Sequence, residues 1–419
     1  MRRLLLLGSI LVATPAAAQM VTPNARAAGM GFAYGAVARG YSAGFYNPAN
    51  LGQSGNHGFT IGLPMLTVDY GSEPIPFQEF KDHEGEFISD TVKNDWLDRI
   101  GPNGSLTIRG TADIGEFGMS IGPVALTVGT VGATRADLPH DAVELLLYGN
   151  AGQDGSGTDT LEFTNGTMSS WAASRVGLSI GIPIGHRISL GVTGKYLAGH
   201  GLAAGRDGTA QLTPDSGYVR FPVIVLVDED NPVQSDGYGV DLGLAWRSMD
   251  DRLRLGFVAY DIYNNFEWDA TKGRATTGDA FVSVDSSSSD FDDVDLADAT
   301  DSVRAAARQL AQDAIFAPAY RFSGAYRVSG MLLVSGDALV RTGNEFALGK
   351  KFGNEFALGA EVRVLPFLPL RGGFRTQGPR TGFNAGVGLD FGVVKIDGAV
   401  GKRTDGGWAY GVGLSLIGQ

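Results

Sequence analysis

Two serines of this chain lie in the pattern G-x-S-x-G, which surrounds the nucleophile of many hydrolases. They are Ser120 in the segment GMSIG and Ser179 in the segment GLSIG. A catalytic serine of this type needs a sharp turn from a strand into a helix, where its hydroxyl is exposed. Both serines lie instead in segments where apolar residues alternate with small or polar ones, as they do along strands. We therefore expect two inward-facing strand residues and no hydrolase.

Other residues that could carry chemistry are few. The chain has no cysteine, which excludes disulfides, thiolate metal sites and cysteine nucleophiles. Its histidines lack the H-E-x-x-H spacing of zinc proteases; they are His57, His83, His140, His186 and His200. The segments GMGFAYG and GVGLDFG depart from the dinucleotide-binding pattern, because their third glycine comes one residue late. We predict that the protein is not an enzyme and holds no metal and no cofactor.

One alternative stays open for the metal. The acidic tract at 285–301 contains DFDDVDLAD and offers enough carboxylate oxygens for Ca²⁺. It lacks the central glycine and the terminal glutamate of the known calcium-binding loop. A solvated acidic loop is the simpler interpretation.

The first 18 residues have the pattern of a secretion signal. Two arginines precede an apolar core from Leu4 to Ala13, and small residues follow at Ala16 and Ala18. We expect cleavage after Ala18, since the apolar core is too short to span a bilayer. The full chain has a formal net charge of −12, and loss of the two arginines with the signal makes it −14. Such a charge argues against nucleic acid as a partner and favours neutral or apolar partners.

Alternating segments occupy much of the remaining chain. In FNAGVGLDF, Phe383, Val387 and Phe391 share one face, while small and polar residues share the other. In WAYGVGLSL, Trp408 and Leu414 share a face in the same way. No run of eighteen apolar residues follows the signal, and this alternation is typical of strands with one face toward lipid and one toward a lumen. The sequence predicts an all-β fold, a transmembrane antiparallel β-barrel of about 14 to 16 strands.

The connections between these segments are of two kinds. After Pro318 the turns are short, whereas earlier segments are separated by long polar insertions near 71–102, 137–167, 201–216 and 262–317. Because outer-membrane barrels have short turns at one rim and long loops at the other, we place these four insertions outside the cell. Two insertions contain helix patterns, LPHDAVELLLYGN after Pro139 and SVRAAARQLAQDAIF near 302–316.

A segment rich in small residues precedes the first strand. Thirteen of the twenty-five residues at 25–49 are glycine or alanine, and aromatic residues lie between them. Such a segment packs compactly, so we predict that residues 19–56 form a hatch inside the lumen of a barrel at 57–419. The four hatch aromatics predicted to contact a ligand are Phe32, Tyr34, Phe45 and Tyr46. Anchoring of the hatch to the barrel wall is the alternative role for the same four residues.

The hatch sequence resembles the N-terminal signature of the FadL-type outer-membrane barrels, which include long-chain fatty-acid transporters and PorV-like proteins of a secretion system. The resemblance is strong for residues 25–70 and weaker to about 150. It depends on two blocks, Gly29, Met30, Gly31, Ala33 and Tyr34, then Phe45, Tyr46, Asn47, Pro48 and Ala49. The family usually has a small residue where this chain has Phe32. The resemblance implies a fourteen-stranded barrel closed by a hatch, whose motif residues here are Gly29, Gly31, Asn47, Pro48 and Ala49.

The resemblance also implies a function. We expect passive transport of hydrophobic, fatty-acid-like small molecules across the cell outer membrane, with membrane lipid and such a solute as the partners. A second hypothesis, from the PorV-like relatives, is a barrel that transports nothing and scaffolds secretion or surface proteins. A third is a soluble secreted β-sandwich or propeller, which would turn its apolar faces inward.

Overall fold

The computed structural model describes residues 24–63, 66–149, 152–153, 160–163, 166–206, 211–213, 216–220, 223–227, 231–283, 287–343, 348, 353–378, 380–404 and 407–418. The predicted signal peptide at 1–18 lies outside these residues. So do the side chains of 276–293, which include most of the acidic tract considered for calcium. Within the described ranges, the structure contains no helix with the length and hydropathy needed to cross a membrane.

Strands make up most of the described chain. In chain order they are β1 (Phe59–Gly62), β2 (Leu66–Glu73), β3 (Ser105–Ile121), β4 (Val124–Pro139), β5 (Leu161–Glu162), β6 (Thr167–Ile184), β7 (Ile188–Arg206), β8 (Gln211–Leu212), β9 (Ser216–Arg220), β10 (Val223–Leu226), β11 (Ser235–Arg247), β12 (Leu253–Asn264), β13 (Arg274–Ser283), β14 (Ser287–Asp295), β15 (Ala319–Arg327), β16 (Leu332–Arg341), β17 (Glu355–Leu365), β18 (Leu368–Gln377), β19 (Arg380–Asp390), β20 (Val394–Arg403) and β21 (Trp408–Gly418).

The helices are short by comparison. They are α1 (Ala25–Gly29), α2 (Tyr41–Tyr46), a 3₁₀ helix (Pro48–Gly52), α3 (Phe77–Asp82), α4 (Asp90–Ile100), α5 (His140–Tyr148) and α6 (Asp301–Asp313).

Fourteen antiparallel wall strands close into a barrel. β1 and β2 together form the first wall strand, because both pair with β3 on one side and with β21 on the other. The wall then continues through β3, β4, β6, β7, β11, β12 and β15 to β21, each paired with the next. The pairing of the last strand with the first leaves no open edge, which confirms the predicted β-barrel.

The alternation of residue types explains the orientation of the wall. Phe383 is 66% exposed and Val387 is 45% exposed on the outer face, whereas Asp241 on the inner face is only 2% exposed. In β7, Leu190 points outward and Lys195 inward in the same way. Apolar side chains therefore face outward and charged ones inward. A soluble sandwich requires the opposite arrangement, so that third hypothesis is wrong.

The two rims of the barrel differ as the sequence predicts. Turns of a few residues define one rim, which we call the short-turn rim. They connect β3 to β4, β6 to β7, β11 to β12, β15 to β16, β17 to β18 and β19 to β20. The long insertions all emerge at the opposite rim, which we call the long-loop rim. Their bounds differ from the predicted ones because wall strands continue into them: β7 reaches Arg206, and its insertion extends to residue 234.

The insertions carry ordered structure of their own. Helices α5 and α6 confirm the two predicted loop helices, and α5 begins directly after Pro139 and ends before Gly149. Sequence patterns did not predict α3 and α4. They also did not predict the accessory sheet that β13 forms with β9, β10 and β14, which joins the wall where β10 pairs with the upper part of β7.

Candidate functional site

The described part of the predicted hatch, residues 24–56, fills the barrel interior near the short-turn rim. Its 3₁₀ helix lies against the inner faces of β6, β7 and β11, while α1 lies against β18 to β21 on the other side. Hydrogen bonds within the segment keep it compact: the Asn50 amide donates to the Gly35 carbonyl at 2.8 Å, and the Asn56 amide donates to the Leu51 carbonyl. The hatch thus contacts opposite sides of the wall at once.

Wall glycines let the hatch backbone lie directly on the strands. A Cβ placed at Gly191 of β7 would lie 2.1 Å from the Ala49 nitrogen, and one at Gly359 of β17 would lie 2.4 Å from the Met30 carbonyl oxygen. Both distances are far below van der Waals contact, so only glycine fits. Close contact of two backbones explains much of the high glycine content of this chain, 62 residues of 419.

Asn47 and Pro48 form the turn that the motif predicts. The Asn47 side chain is fully buried, and its oxygen accepts a hydrogen bond from the Ala49 N–H at 3.0 Å, which caps the 3₁₀ helix. Its amide also donates to the Leu244 carbonyl in β11 at 3.1 Å. Pro48 follows at the first helical position, where its missing N–H costs nothing. One asparagine therefore both shapes the hatch and binds it to the wall.

Each of the four hatch aromatics lies against an arginine. The distances from the guanidinium carbon to the ring centre are 4.3 Å for Arg375 and Phe32, 5.5 Å for Arg26 and Tyr34, 4.6 Å for Arg175 and Phe45, and 5.5 Å for Arg321 and Tyr46. Three of these rings are nearly fully buried, and Phe32 is partly buried. These contacts match the alternative role, anchoring; ligand binding by the four aromatics stays a prediction.

Two buried carboxylates join hatch and wall electrostatically. Glu361 of β17 accepts from Arg26 of α1 at 2.8 Å and from Arg371 of β18 at 2.8 Å. Asp337 of β16 accepts from the Gly35 N–H at 2.9 Å and from Arg321 at 2.8 Å. Hydrogen bonds to a charged acceptor are the strong ones, and removal of one partner would leave a buried charge uncompensated.

A layer of ion pairs lies in the lumen between the hatch and the long loops. Lys195 of β7 contacts both Asp241 of β11 and Asp261 of β12 at 2.7 Å. On the opposite side, Asp69 of β2 pairs with Arg403 of β20. The lysine and Asp241 are almost completely buried. The described interior above the hatch therefore contains paired charges on two sides of the wall.

An apolar cluster lies above the charged layer, at the mouth of the barrel. We call it the mouth cluster, and its aromatic members are Trp171, Phe266, Trp268 and Phe316. Phe266 lies 5.1 Å from Trp268 and 5.1 Å from Phe316, centre to centre, and the Trp268 indole donates to the Ala314 carbonyl at 2.8 Å. Aromatic rings at these separations attract each other beyond simple burial.

Helix α6 covers the mouth cluster. Its buried face consists of Ala307 and Ala311, and its other faces are polar and largely exposed. The sequence predicted this helix. It did not predict the aromatic cluster beneath, although Phe266 and Trp268 in the otherwise polar segment NNFEWD were a usable signal.

Ser120 and Ser179 lie in the wall strands β3 and β6, as predicted. The Ser120 hydroxyl bonds to that of Thr60 at 2.6 Å, and the Ser179 hydroxyl bonds to that of Thr193 at 2.8 Å. Both are fully buried on the inner face. Their geometry is that of strand-to-strand hydrogen bonds.

One group of potential metal ligands is present in the described part of the chain. His140, Asp141 and Glu144 of α5 bring their ligand atoms within 4.8 Å of one another. The two carboxylates already accept hydrogen bonds from the backbone N–H groups of Glu162 and Gln153. The arrangement is explained by loop packing.

Comparison with known proteins gives matches of two kinds. Residues 48–223 match the model of a protein family of unknown function, DUF5723. Among curated proteins, no sequence matches. The barrel is similar to the toluene transporter TbuX of Ralstonia pickettii, with 13% identity and a TM-score of 0.51 over 96% of this chain and 100% of that chain.

Two further solved structures are similar over nearly their whole length. They are the monoaromatic hydrocarbon channel CymD, with 12% identity and a TM-score of 0.52 over 96% of this chain and 99% of that one, and the deltaS2S3 mutant of the monoaromatic hydrocarbon channel TodX, with 11% identity and a TM-score of 0.54 over 94% and 97%. At this identity the similarity shows the fold alone. This chain has the FadL-type barrel fold that its hatch motif predicts.

Proposed function

We propose that this protein lets hydrophobic small molecules diffuse across an outer membrane, with residues 1–18 as a signal peptide, 19–56 as a hatch and 57–419 as the barrel. The observation that carries the proposal is the mouth cluster: four aromatic side chains lie together under α6, above the layer of ion pairs and the hatch. An apolar solute would partition into such a cluster from the long-loop side. The solute would be fatty-acid-like or aromatic.

The fold supports the same proposal. The three similar structures are described as a toluene transporter and monoaromatic hydrocarbon channels. The outward apolar face suits a lipid bilayer, and an outer membrane is the location that such a barrel implies. Passive diffusion down a gradient needs no energy source.

The test measures solute entry into cells whose outer membrane limits uptake. Cells with and without the full-length protein are given radiolabelled oleate, radiolabelled toluene or, as a polar control, a radiolabelled disaccharide. We expect the protein to raise entry of at least one apolar probe several-fold and to leave disaccharide entry unchanged. Equal entry of all three probes with and without the protein would refute transport.

Two variants connect the transport to the mouth cluster. Phe316→Asp places a charge among the cluster's rings and should abolish the gain in apolar uptake. Ala306→Asp places the same charge on the exposed face of α6 and should leave uptake intact. If both variants transport as the unmodified chain does, the cluster is not on the solute path.

The scaffold hypothesis stays as a second candidate because the outer loops expose apolar side chains. Phe87, between α3 and α4, is 87% exposed, and Leu146 of α5 is 74% exposed. Exposed apolar groups on ordered loops favour contact with another protein. Purification of the intact protein from solubilised membranes distinguishes the candidates, since a transporter should be recovered alone and a scaffold with its partners in fixed ratio.

A further inference from the structure

A pocket at the short-turn rim lies where the hatch, the start of β1 and the β20–β21 pair meet. We call it the rim pocket. It lies on the opposite side of the hatch from the mouth cluster. Its lining is unusually basic for an acidic protein: apart from Tyr34 and Tyr41, the charged and titratable side chains are Arg26, Arg39, His57, Lys395 and Asp397.

Most of these charges already have partners. Arg26 is paired with Glu361, Lys395 with Asp390 at 2.9 Å, and Asp397 with Arg371 at 2.6 Å. All three partners lie in wall strands outside the lining of the pocket. The wall carboxylates Glu361 and Asp390 are therefore already paired with Arg26 and Lys395.

Arg39 differs from the other cations. Its guanidinium donates to the carbonyl of the neighbouring Ala38 at 2.8 Å. Within the residues that the structure describes, no carboxylate lies within ion-pair distance of it. Asp251 favours its charged form from further away, but Asp251 is itself paired with Arg254. The pocket thus contains a partly buried cation for which the described residues supply no anion at ion-pair distance.

The local electrostatics also indicate an excess of positive charge in the rim pocket. Burial and the nearby Arg254 lower the pKa of Arg39 to about 9. The pKa of His57 is lowered by burial and then by the three cations Lys395, Arg39 and Arg26. Arg26, Arg39 and Lys395 line the same pocket as this imidazole. An uncompensated charge in a buried site is costly unless a ligand supplies the opposite charge.

We propose that the rim pocket binds a small oxyanion, a carboxylate or phosphate group, between Arg39 of the hatch and Lys395 of β20. Arginine and lysine are the usual donors to such anions. The anion connects hatch and wall, because one cation belongs to each. It comes either from solution or from the headgroup of a lipid in the adjoining leaflet. The site is independent of solute transport through the mouth cluster.

The test uses the His57 imidazole as a reporter of charge in the pocket. The protein, expressed with its signal and purified from membranes, is placed in nanodiscs of zwitterionic phosphatidylcholine, and the His57 pKa is measured by NMR. Inorganic phosphate is then added at constant ionic strength. We expect the bound anion to raise the His57 pKa by about 0.5 to 1 unit, because a nearby negative charge favours the imidazolium.

Variants assign the effect to the proposed site. Arg39→Gln should remove the response to phosphate. Lys395→Gln should weaken it, and this second variant keeps the test informative if Arg39→Gln folds poorly. Arg252→Gln removes an exposed arginine at the same rim and should respond as the unmodified chain does. A His57 pKa that does not respond to phosphate, or that responds equally with and without Arg39, rules out a free anion in this pocket. The proposal is then overturned unless nanodiscs of anionic lipid raise the pKa.

A second arm identifies the source of the anion. Nanodiscs containing anionic phosphatidylglycerol replace those of phosphatidylcholine, with no phosphate added. A raised His57 pKa that depends on Arg39 in these nanodiscs identifies a lipid headgroup, whereas a response to inorganic phosphate alone identifies a free anion. If neither arm shifts the pKa, the rim pocket is not an anion site.

Discussion

Gly191 of β7 is one of the wall glycines on which the hatch backbone lies directly. Three residues further along the same strand, Gly194 has open space where a Cβ would be. The two glycines therefore have different roles, although the sequence around both alternates in the same way. Neither composition nor alternation distinguishes the two, and only the structure shows which glycines the hatch touches.

Substitution of valine at Gly191 should displace the hatch. The added side chain would overlap the Ala49 nitrogen, and overpacking of this kind costs about 1 to 3 kcal/mol. We expect a lower temperature for the change in gel migration on heating and faster protease cleavage within residues 24–56. Gly194→Val is the matched control. Equal behaviour of the two variants would show that the hatch is not seated on β7.

The contacts between the hatch aromatics and their arginine partners could not be predicted from the sequence either. Arg375 and Phe32 are more than 340 positions apart, and no local pattern predicts that they meet. Phe32 itself has a positive φ of 70°, a conformation unfavourable for a side chain of this size. The sequence marked this position as a departure from the family's small residue, and stacking on Arg375 offsets part of that cost.

At the scale of elements, sequence patterns predicted two of the four helices in the long insertions. Pro139 and Gly149 bracket α5, and the alanine face of α6 was visible as a periodic pattern. Helices α3 and α4 have comparable boundary residues, Pro76 before α3 and Gly101 with a positive φ of 71° after α4, and were missed although these residues were present. Their position depends on long-range contacts, such as Trp96 against Phe80 at 5.0 Å.

Acid should loosen the contact between α3 and α4. Glu79 accepts from Arg99 and from the Trp96 indole at 3.2 Å, and the hydrogen bond from Arg99 is the largest cause that lowers the Glu79 pKa. Because the folded pKa is lowered, the contact stabilises above the ordinary glutamate pKa and is lost as the pH falls below about 4. The exposed setting limits its value to about 0 to 1 kcal/mol.

Trp96 fluorescence between pH 7 and pH 3 measures this loss. We expect a transition below pH 4 in the unmodified chain that is absent in Glu79→Gln. Glu86→Gln changes an exposed carboxylate in the same insertion and should keep the transition. A transition that survives in Glu79→Gln would assign it to another group.

At the scale of the whole molecule, alternation alone predicted the architecture. Outward Phe383 and inward Asp241 follow from the period of two, and closure follows because an open edge would leave backbone groups unpaired in lipid. The accessory sheet was not predictable in this way, because its register depends on where β10 meets β7 in space.

Removal of the last strand should abolish the closed state. Without residues 408–418, β20 and the β1–β2 pair would each expose an unpaired edge. We expect no heat-modifiable species and no stable membrane insertion. As a control, replacement of residues 301–313 by a short glycine-serine linker removes α6 and leaves every wall pairing in place. Heat modifiability of the truncated chain would contradict the observed closing pair.

The backbone contacts between hatch and wall constrain how the protein is made. The hatch lies against β6, β7 and β11 on one side and β18 to β21 on the other, and at the wall glycines its backbone lies directly on the strands. We therefore expect residues 24–56 to be in place before the last hairpin closes the wall. We expect the barrel wall to fold and close around the hatch in a single concerted step.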